Sequence, residues 1–162
     1  MACGSGSKKP KSVNIRRNIT STMGDNAIKN ILIATHNIAV VGLSADPQRP
    51  SFQVANYLKS QGYRIFPVNP KCVTVLSEPC YANLAMVKET LLSGESIDIV
   101  DIFRRPEFVL PHIEEAIQVG AKVIWMQEGV EHKEAAAKAQ AAGLTVIMNT
   151  CLMKTHQRLF KI

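Results

Sequence analysis

Short apolar runs alternate along the chain with longer segments in which apolar residues recur every three or four positions. The runs are mostly continuous, without intervening polar residues, which is typical of strands buried on both faces of a parallel sheet. They predict β-strands over 38–41, 63–68, 97–103, 122–126 and 144–148, with a weaker strand or turn over 73–76.

The segments between these runs have the period of amphipathic helices. Asp25 or Asn26 is the expected N-cap of the first helix, and Pro106 falls in the first turn of a later one. The predicted helices cover 27–34, 51–60, 83–92, 106–119, 131–142 and 151–160. This alternation predicts an α/β fold, a doubly wound and mainly parallel sheet with helices on both faces.

The positive charge of the chain is concentrated at its amino-terminal end. Of 19 Lys and Arg, against 13 Asp and Glu, five fall in residues 1–24, which hold no acid. This Ser-, Gly- and Lys-rich segment lacks apolar periodicity, so we expect a disordered basic tail, with mitochondrial targeting as the alternative. Residues 25–162 are nearly neutral and form the predicted domain. That balance argues against a nucleic-acid-binding face, although non-specific binding by the tail stays open.

The cysteine spacing and the length of the apolar stretches indicate in which cellular compartment the protein is expected. Cys3, Cys72, Cys80 and Cys151 match neither a zinc spacing nor a Cys-x-x-Cys pair, and no two histidines have the helical spacing of metal ligands. We therefore expect free thiols in a reducing compartment and no metal. No apolar stretch has the length of a membrane span. A cytoplasmic location is predicted, with a mitochondrial one as the alternative from the basic tail.

The strand predicted over 38–41 ends in Gly42 and leads into a helix predicted to begin near Ser51. A strand, a tight loop and a helix N-terminus form an arrangement that binds phosphate, because the first N–H groups of a helix have no partner within it. Gly42 allows a ligand close to the backbone. Ser44 can cap the helix or donate to a phosphate, and Ser51 is interpreted as the helix cap. Arg49 can bind a phosphate, with a solvated surface arginine as the alternative. Only one glycine of the three-glycine dinucleotide fingerprint is present, so an ordinary strand-to-helix turn is the alternative.

The end of the strand over 63–68 narrows the ligand class. NAD-dependent enzymes normally place an acid there to accept hydrogen bonds from the ribose hydroxyls. This chain has Asn69, Pro70 and Lys71 instead, and no Asp or Glu occurs within 47–77. The pattern argues against NAD, whereas Lys71 suits a ligand with a phosphate on its ribose, such as NADP or coenzyme A.

Two further predicted strands end in polar residues and glycine. Phe103 is followed by Arg104 and Arg105, and cations are unfavourable at a helix N-terminus, which favours a ligand role over a surface pair. Gln127 and Gly129 follow the next strand. Because the carboxyl ends of parallel strands meet at one edge of a sheet, all these loops are expected to converge on one site.

Candidates for catalysis are few. Asp98 and Asp101 lie three positions apart on one predicted strand, so they point to opposite faces and form no carboxylate pair. No Ser-His-Asp set can be assembled. Cys151 begins the last predicted helix and is the candidate nucleophile, with a buried thiol as the alternative.

These residues carry a resemblance that spans nearly all of the chain from residue 36 onward. The chain resembles the small stand-alone CoA-binding domain proteins of Rossmann-like fold, and also the N-terminal CoA-binding part of the succinyl-CoA ligase α subunit. The stretches that match, in order and at matching spacing, are 38–51, 62–71, 98–106, 121–129 and 143–156.

The resemblance implies coenzyme A as the ligand. It implies no ligase activity, because the sequence shows no counterpart of the ligase domain that carries the phosphorylated histidine. Asn149 departs from the pattern, since bacterial relatives often carry an acid there. The residues onto which cofactor binding is carried over are Gly42, Leu43, Ser44, Arg49, Ser51, Asn69, Pro70, Lys71, Phe103, Arg104, Arg105, Gln127 and Gly129.

The predicted function is binding of CoA or an acyl-CoA, with no catalytic residue assigned and a protein partner unspecified. One alternative is an NADP-linked or acyl-CoA-handling enzyme that uses Cys151, and another is a nucleotide-sensing regulatory module. On the leading hypothesis, Gly42→Asp is expected to abolish binding without unfolding the domain, because it places bulk and negative charge against a phosphate.

Overall fold

The computed structural model describes residues 23–162. The predicted tail covers 1–24, and its residues 1–22 lie outside the described residues. The strands are β1 (Asn37–Val41), β2 (Arg64–Val68), β3 (Thr74–Val75), β4 (Glu78–Pro79), β5 (Ile99–Ile102), β6 (Val123–Met126) and β7 (Thr145–Ile147). Five parallel strands form the main sheet in the order β2-β1-β5-β6-β7, and β3 and β4 form a separate antiparallel pair.

Helices cover both faces of the sheet, so the predicted doubly wound α/β fold is confirmed. The helices are α1 (Asp25–Ala34), α2 (Pro50–Ser60), α3 (Leu84–Thr90), α4 (Val109–Gln118), α5 (Lys133–Ala141) and α6 (Leu152–Phe160). On one face α1, α2 and α6 pack on the sheet, and on the other α3, α4 and α5 do so. None of the helices among residues 23–162 is long and apolar enough to cross a lipid bilayer.

The apolar runs are continuous because alternate residues of each strand enter two different cores. In β1, Ile38 and Val40 pack toward α1, α2 and α6, whereas Ala39 and Val41 pack toward α3, α4 and α5. Trp125 of β6 is fully buried in the first of these cores, and its indole N–H donates to the carbonyl oxygen of Thr150 at 2.8 Å.

Several local predictions differ from the structure. The first helix begins at Asp25, with Gly24 at the N-cap position and no side-chain cap, so neither Asp25 nor Asn26 caps it. The segment after Pro106 starts as a 3-10 turn, Pro106–Phe108, before α4. The segment predicted as a weak strand or turn is β3, and its partner β4 was not predicted, because a two-residue strand has too short a pattern to detect.

A buried carboxylate fastens the amino-terminal end of β1 to the segment before β5. Asp98 Oδ2 accepts the backbone N–H groups of His36 and Asn37, each at 2.9 Å, and Lys122 Nζ lies 3.2 Å from Oδ1. Burial raises the pKa of Asp98, but the two backbone hydrogen bonds and Lys122 outweigh it and leave the pKa lowered. The ionised carboxylate therefore stabilises the fold.

Asp98→Ala is expected to lower the free energy of unfolding at pH 7 by about 2–3 kcal/mol, because the buried N–H of Asn37 and the partly buried N–H of His36 lose their acceptor. Since the folded-state pKa is lowered, the contribution of Asp98 is present above its unfolded pKa and is lost as the pH falls through the folded one. Urea denaturation at pH 7 and at pH 3 measures this. An equal deficit of the variant at both pH values would contradict the assignment.

Candidate ligand-binding cleft

A cleft of about 670 Å³ opens at the carboxyl ends of β1, β5 and β6. The chain leaves β1 in one direction to reach β2 and returns on the other side of β1 to form β5. This reversal is the position at which open α/β sheets bind ligands. The lining comes from the loops after these three strands, the first turns of α2 and Cys151 at the start of α6.

The glycine of the first loop is required by a neighbouring backbone. Gly42 has φ +82°, and a Cβ there would lie 2.4 Å from the carbonyl oxygen of Phe103. Its N–H donates to the carbonyl oxygen of Val68 at 2.9 Å, so the loop is held between β2 and the segment after β5. This geometry argues against the expectation that Gly42→Asp leaves the fold intact, because any side chain at this position collides with main-chain atoms.

The loop is tied to the helix that follows it. The backbone N–H of Ser44 donates to Ser51 Oγ at 3.0 Å, and Ser51 is 5% exposed. The prediction that Ser51 caps α2 is therefore wrong. Ser51 instead holds the loop against the first helical turn. Arg49 occupies the N-cap position with no side-chain cap, and Pro50 begins the helix. The first turn of α2 thus faces the cleft without a capping acceptor, which leaves its N–H groups available to an anion.

Positive charge dominates the lining of the cleft. Arg49, Arg104 and Arg105 all line it, all are exposed, and none forms an ion pair with an acid of residues 23–162. The guanidinium of Arg104 lies 4.9 Å from the ring centroid of Phe108. Glu128, the acid of the lining, is paired with a lysine of α6 at 3.0 Å. The cleft therefore favours an anionic ligand.

Four of the predicted site residues lie beside the cleft and outside its lining. Leu43 is fully buried, and its carbonyl oxygen accepts the Asn69 side-chain amide at 3.0 Å. The backbone N–H of Lys71 donates to Asn69 Oδ1 at 3.0 Å, whereas Pro70 and the Lys71 side chain are exposed. Asn69 thus joins the loop after β2 to the glycine loop. Contact of these four residues with a ligand stays a prediction.

The other predicted residues are brought together by the fold. In addition to the three arginines, the lining contains Gly42, Ser44, Ser51, Phe103, Gln127 and Gly129. Sequence reasoning missed lining residues that immediately flank these positions or lie one helical turn away. They are Pro50, Val54 and Val130, and their signal was adjacency to predicted site residues, whereas Pro106 and Glu128 belong to strand-end loops already expected to form the site.

A buried carboxyl group lies next to the cleft. Asp101 of β5 is fully buried, and its Oδ1 accepts the side-chain amide of Gln127 at 2.7 Å. Its Oδ2 is the one buried side-chain nitrogen or oxygen among residues 23–162 that lacks a hydrogen-bond partner. Burial raises the pKa of Asp101 to about 7, although the hydrogen bond from Gln127 acts to lower it. A proton on Oδ2 leaves Oδ1 free to accept from Gln127.

The pairing of Asp101 with Gln127 was missed in the sequence, because it depends on the register of β5 and β6. Asp101 lies opposite Trp125 in the register of β5 and β6, and Gln127 follows two residues later. Residues two apart in a strand share a face, so the carboxyl and the amide meet once the register is known. Cys151 is 8% exposed, lines the same cleft and forms no cap hydrogen bond with α6.

Comparison with known proteins matches the chain to a family model described as a CoA binding domain, over residues 36–157. The Bacillus subtilis protein YneT is 37% identical over 129 residues, which is 80% of this chain and 91% of that protein. A hypothetical protein from Pyrococcus horikoshii of known structure is 38% identical, with a TM-score of 0.77 over 90% of this chain and 96% of its own.

A larger enzyme contains a similar unit. The dinucleotide-forming acetyl-coenzyme A synthetase 1 from Ca. Korarchaeum cryptofilum is 25% identical, with a TM-score of 0.59, and the match covers 70% of this chain but 26% of that chain. The predicted resemblance to small CoA-binding domain proteins is confirmed by the family match, which covers most of the chain. On this evidence the chain belongs to the CoA-binding domain family.

Proposed function

We propose that this chain binds coenzyme A or an acyl-CoA in the cleft and acts as a ligand-binding module. The observation that carries the proposal is the combination of an uncapped helix N-terminus with three arginines that have no acidic partner among residues 23–162. Coenzyme A carries a diphosphate and a ribose phosphate, and such a site suits both. Family membership supports the same ligand.

The parts of the ligand are assigned by charge. The first turn of α2 and the glycine loop take the diphosphate, and Arg49 takes the ribose phosphate, with Lys71 as the alternative from the adjoining loop. Arg104 and Arg105 flank the path of the pantetheine arm. A small-molecule partner is thus proposed, while the acyl group and any protein partner are not specified. A cytoplasmic location stays a prediction, and the bacterial relative gives no support to a mitochondrial one.

Calorimetric titration with CoA, acetyl-CoA, NAD and NADP, each at two salt concentrations, tests the proposal. We expect CoA or acetyl-CoA to bind with the highest affinity and more weakly at high salt, because the arginines are exposed to solvent. Binding of NADP alone would transfer the chain to the oxidoreductase alternative. Binding of none of the four compounds would overturn the proposal.

Arg49→Gln and Arg104→Gln are each expected to weaken CoA binding about tenfold or more, because a charge-assisted hydrogen bond to a phosphate is lost. Both variants should also lose part of the salt dependence. The matched control is Arg64→Gln. Arg64 is exposed, pairs with Glu95 at 3.4 Å and is the first residue of β2, so it lies at the amino-terminal ends of the strands, away from the cleft. Equal weakening in the control would show that general charge, and not the cleft, governs binding.

A second candidate function is an enzyme that handles an acyl-CoA, because the cleft lining includes a cysteine. On that hypothesis Cys151→Ser abolishes turnover of acyl-CoA and leaves its binding intact. Unchanged hydrolysis or transfer in the variant would remove Cys151 from the mechanism.

A further inference from the structure

The side-chain amide of Gln127 is held in one orientation before any ligand arrives. Its backbone N–H donates to the carbonyl oxygen of Ile102, and its carbonyl oxygen accepts the N–H of Val130 at 2.9 Å. Its side-chain Nε2 donates to Asp101 Oδ1 at 2.7 Å, inside the protein. Both the main chain and the amide group of this residue are therefore fixed by neighbours.

The fixed orientation leaves the amide oxygen for the cleft. Gln127 Oε1 accepts no hydrogen bond from residues 23–162, and it is not among the buried atoms that lack a partner. Because Gln127 is only 4% exposed and lines the cleft, the accessible part of its amide is reached from the cleft. Because Nε2 donates to the buried carboxyl oxygen of Asp101, the atom that Gln127 presents to a ligand is its amide oxygen, which is a hydrogen-bond acceptor.

The position of Gln127 separates it from the site of the phosphates. Gln127 follows β6, and β5 lies between β6 and β1, so two strand spacings of about 4.8 Å separate the two strand ends. The lining also includes Val54, Phe103 and Val130, and the acid Glu128 is already paired with a lysine. A neutral amide oxygen beside apolar side chains suits an uncharged part of the ligand that carries N–H donors.

The pantetheine arm of CoA fits this description, because it is uncharged and contains two amide N–H groups that lose water on entering a cleft. We propose that Gln127 presents its amide oxygen to an amide N–H of the pantetheine arm, and that Asp101 is the positioning residue that holds the amide in this orientation. The inference rests on the proposed function and specifies which half of the ligand lies over β6.

The test compares CoA with adenosine 3′,5′-bisphosphate, which lacks the arm. Gln127→Met keeps an unbranched side chain of similar length but has no acceptor oxygen. We expect its affinity for CoA to fall about tenfold and its affinity for the bisphosphate to change less than about twofold. Gln140→Met, at an exposed position of α5, is the matched control and should leave both affinities unchanged.

Two substitutions at Asp101 separate positioning from a merely structural role. Asp101→Asn keeps an oxygen that accepts from Gln127 and should retain affinity for CoA. Asp101→Val fits a buried strand but removes the acceptor, so the Gln127 amide is free to turn, and CoA affinity should fall about threefold while bisphosphate affinity is kept. Thermal unfolding of each variant establishes that it is folded before titration.

The outcomes distinguish the inference from the function on which it rests. If the unmodified protein binds neither CoA nor the bisphosphate, the proposed function fails. If it binds both, and Gln127→Met loses affinity for neither or for both equally, the proposed function stands and the inference is overturned. A loss confined to CoA in Gln127→Met and Asp101→Val, with Asp101→Asn retained, establishes it.

Discussion

Gly42→Ala is expected to lower the free energy of unfolding by about 3 kcal/mol or more. Two costs add at this position. A residue with a side chain is strained at φ +82°, and the new Cβ would lie 2.4 Å from the carbonyl oxygen of Phe103, so one of the two backbones must move. Urea denaturation of the variant and the unmodified protein measures the difference.

Gly62→Ala is the matched control for this prediction. Gly62 also has a positive φ, +95°, but a Cβ there would meet nothing within 4 Å. Strain alone should therefore cost about 1 kcal/mol in the control. Equal losses in the two variants would show that the contact with Phe103 contributes nothing. The result also bears on ligand studies, because a Gly42 variant that unfolds is no test of phosphate binding, whereas the arginine variants are.

The second large effect concerns the dependence of stability on pH. Burial raises the folded-state pKa of Asp101 from 3.8 to about 7. Between these values the folded state holds a proton that the unfolded state has released, so stability decreases as the pH rises through this window. The difference between the unfolded and folded pKa values corresponds to a contribution of roughly 4 kcal/mol to the free energy of unfolding. This contribution is fully lost above the folded pKa.

Asp101→Asn removes this titration while keeping the acceptor for Gln127. Other carboxylates, such as Asp25 and Asp98, have lowered pKa values and act in the opposite direction, but they are common to both proteins. The difference in unfolding free energy between the unmodified protein and the variant isolates Asp101. We expect it to shift by about 4 kcal/mol in favour of the variant between pH 4 and pH 8. A difference that stays constant over this range would mean that Asp101 does not titrate there.

Many features of the fold followed from local patterns. Continuous apolar runs predicted the five strands of the parallel sheet, and the loops after β1, β5 and β6 were identified as the site from their glycine, serine and arginine residues. The strands could be predicted because a strand buried on both faces is a continuous apolar run. The site could be predicted because the carboxyl ends of parallel strands lie at one edge of the sheet. The prediction for the loop after β2 was less complete, since Asn69 joins two loops and lies beside the cleft.

The sequence by itself determined the alternation of strands and helices, the resemblance to the CoA-binding domain family and the strand-end residues that form most of the cleft. The tertiary structure decided why Gly42 is a glycine, what Ser51 binds and that Asp101 holds Gln127. Phe103 and Gln127 are brought close to Gly42 and Asp101 by the register of neighbouring strands, and these contacts join segments distant in sequence. Ser44 and Ser51 are closer in sequence, but the conformation of the loop between them brings them together. No local periodicity contains any of these contacts.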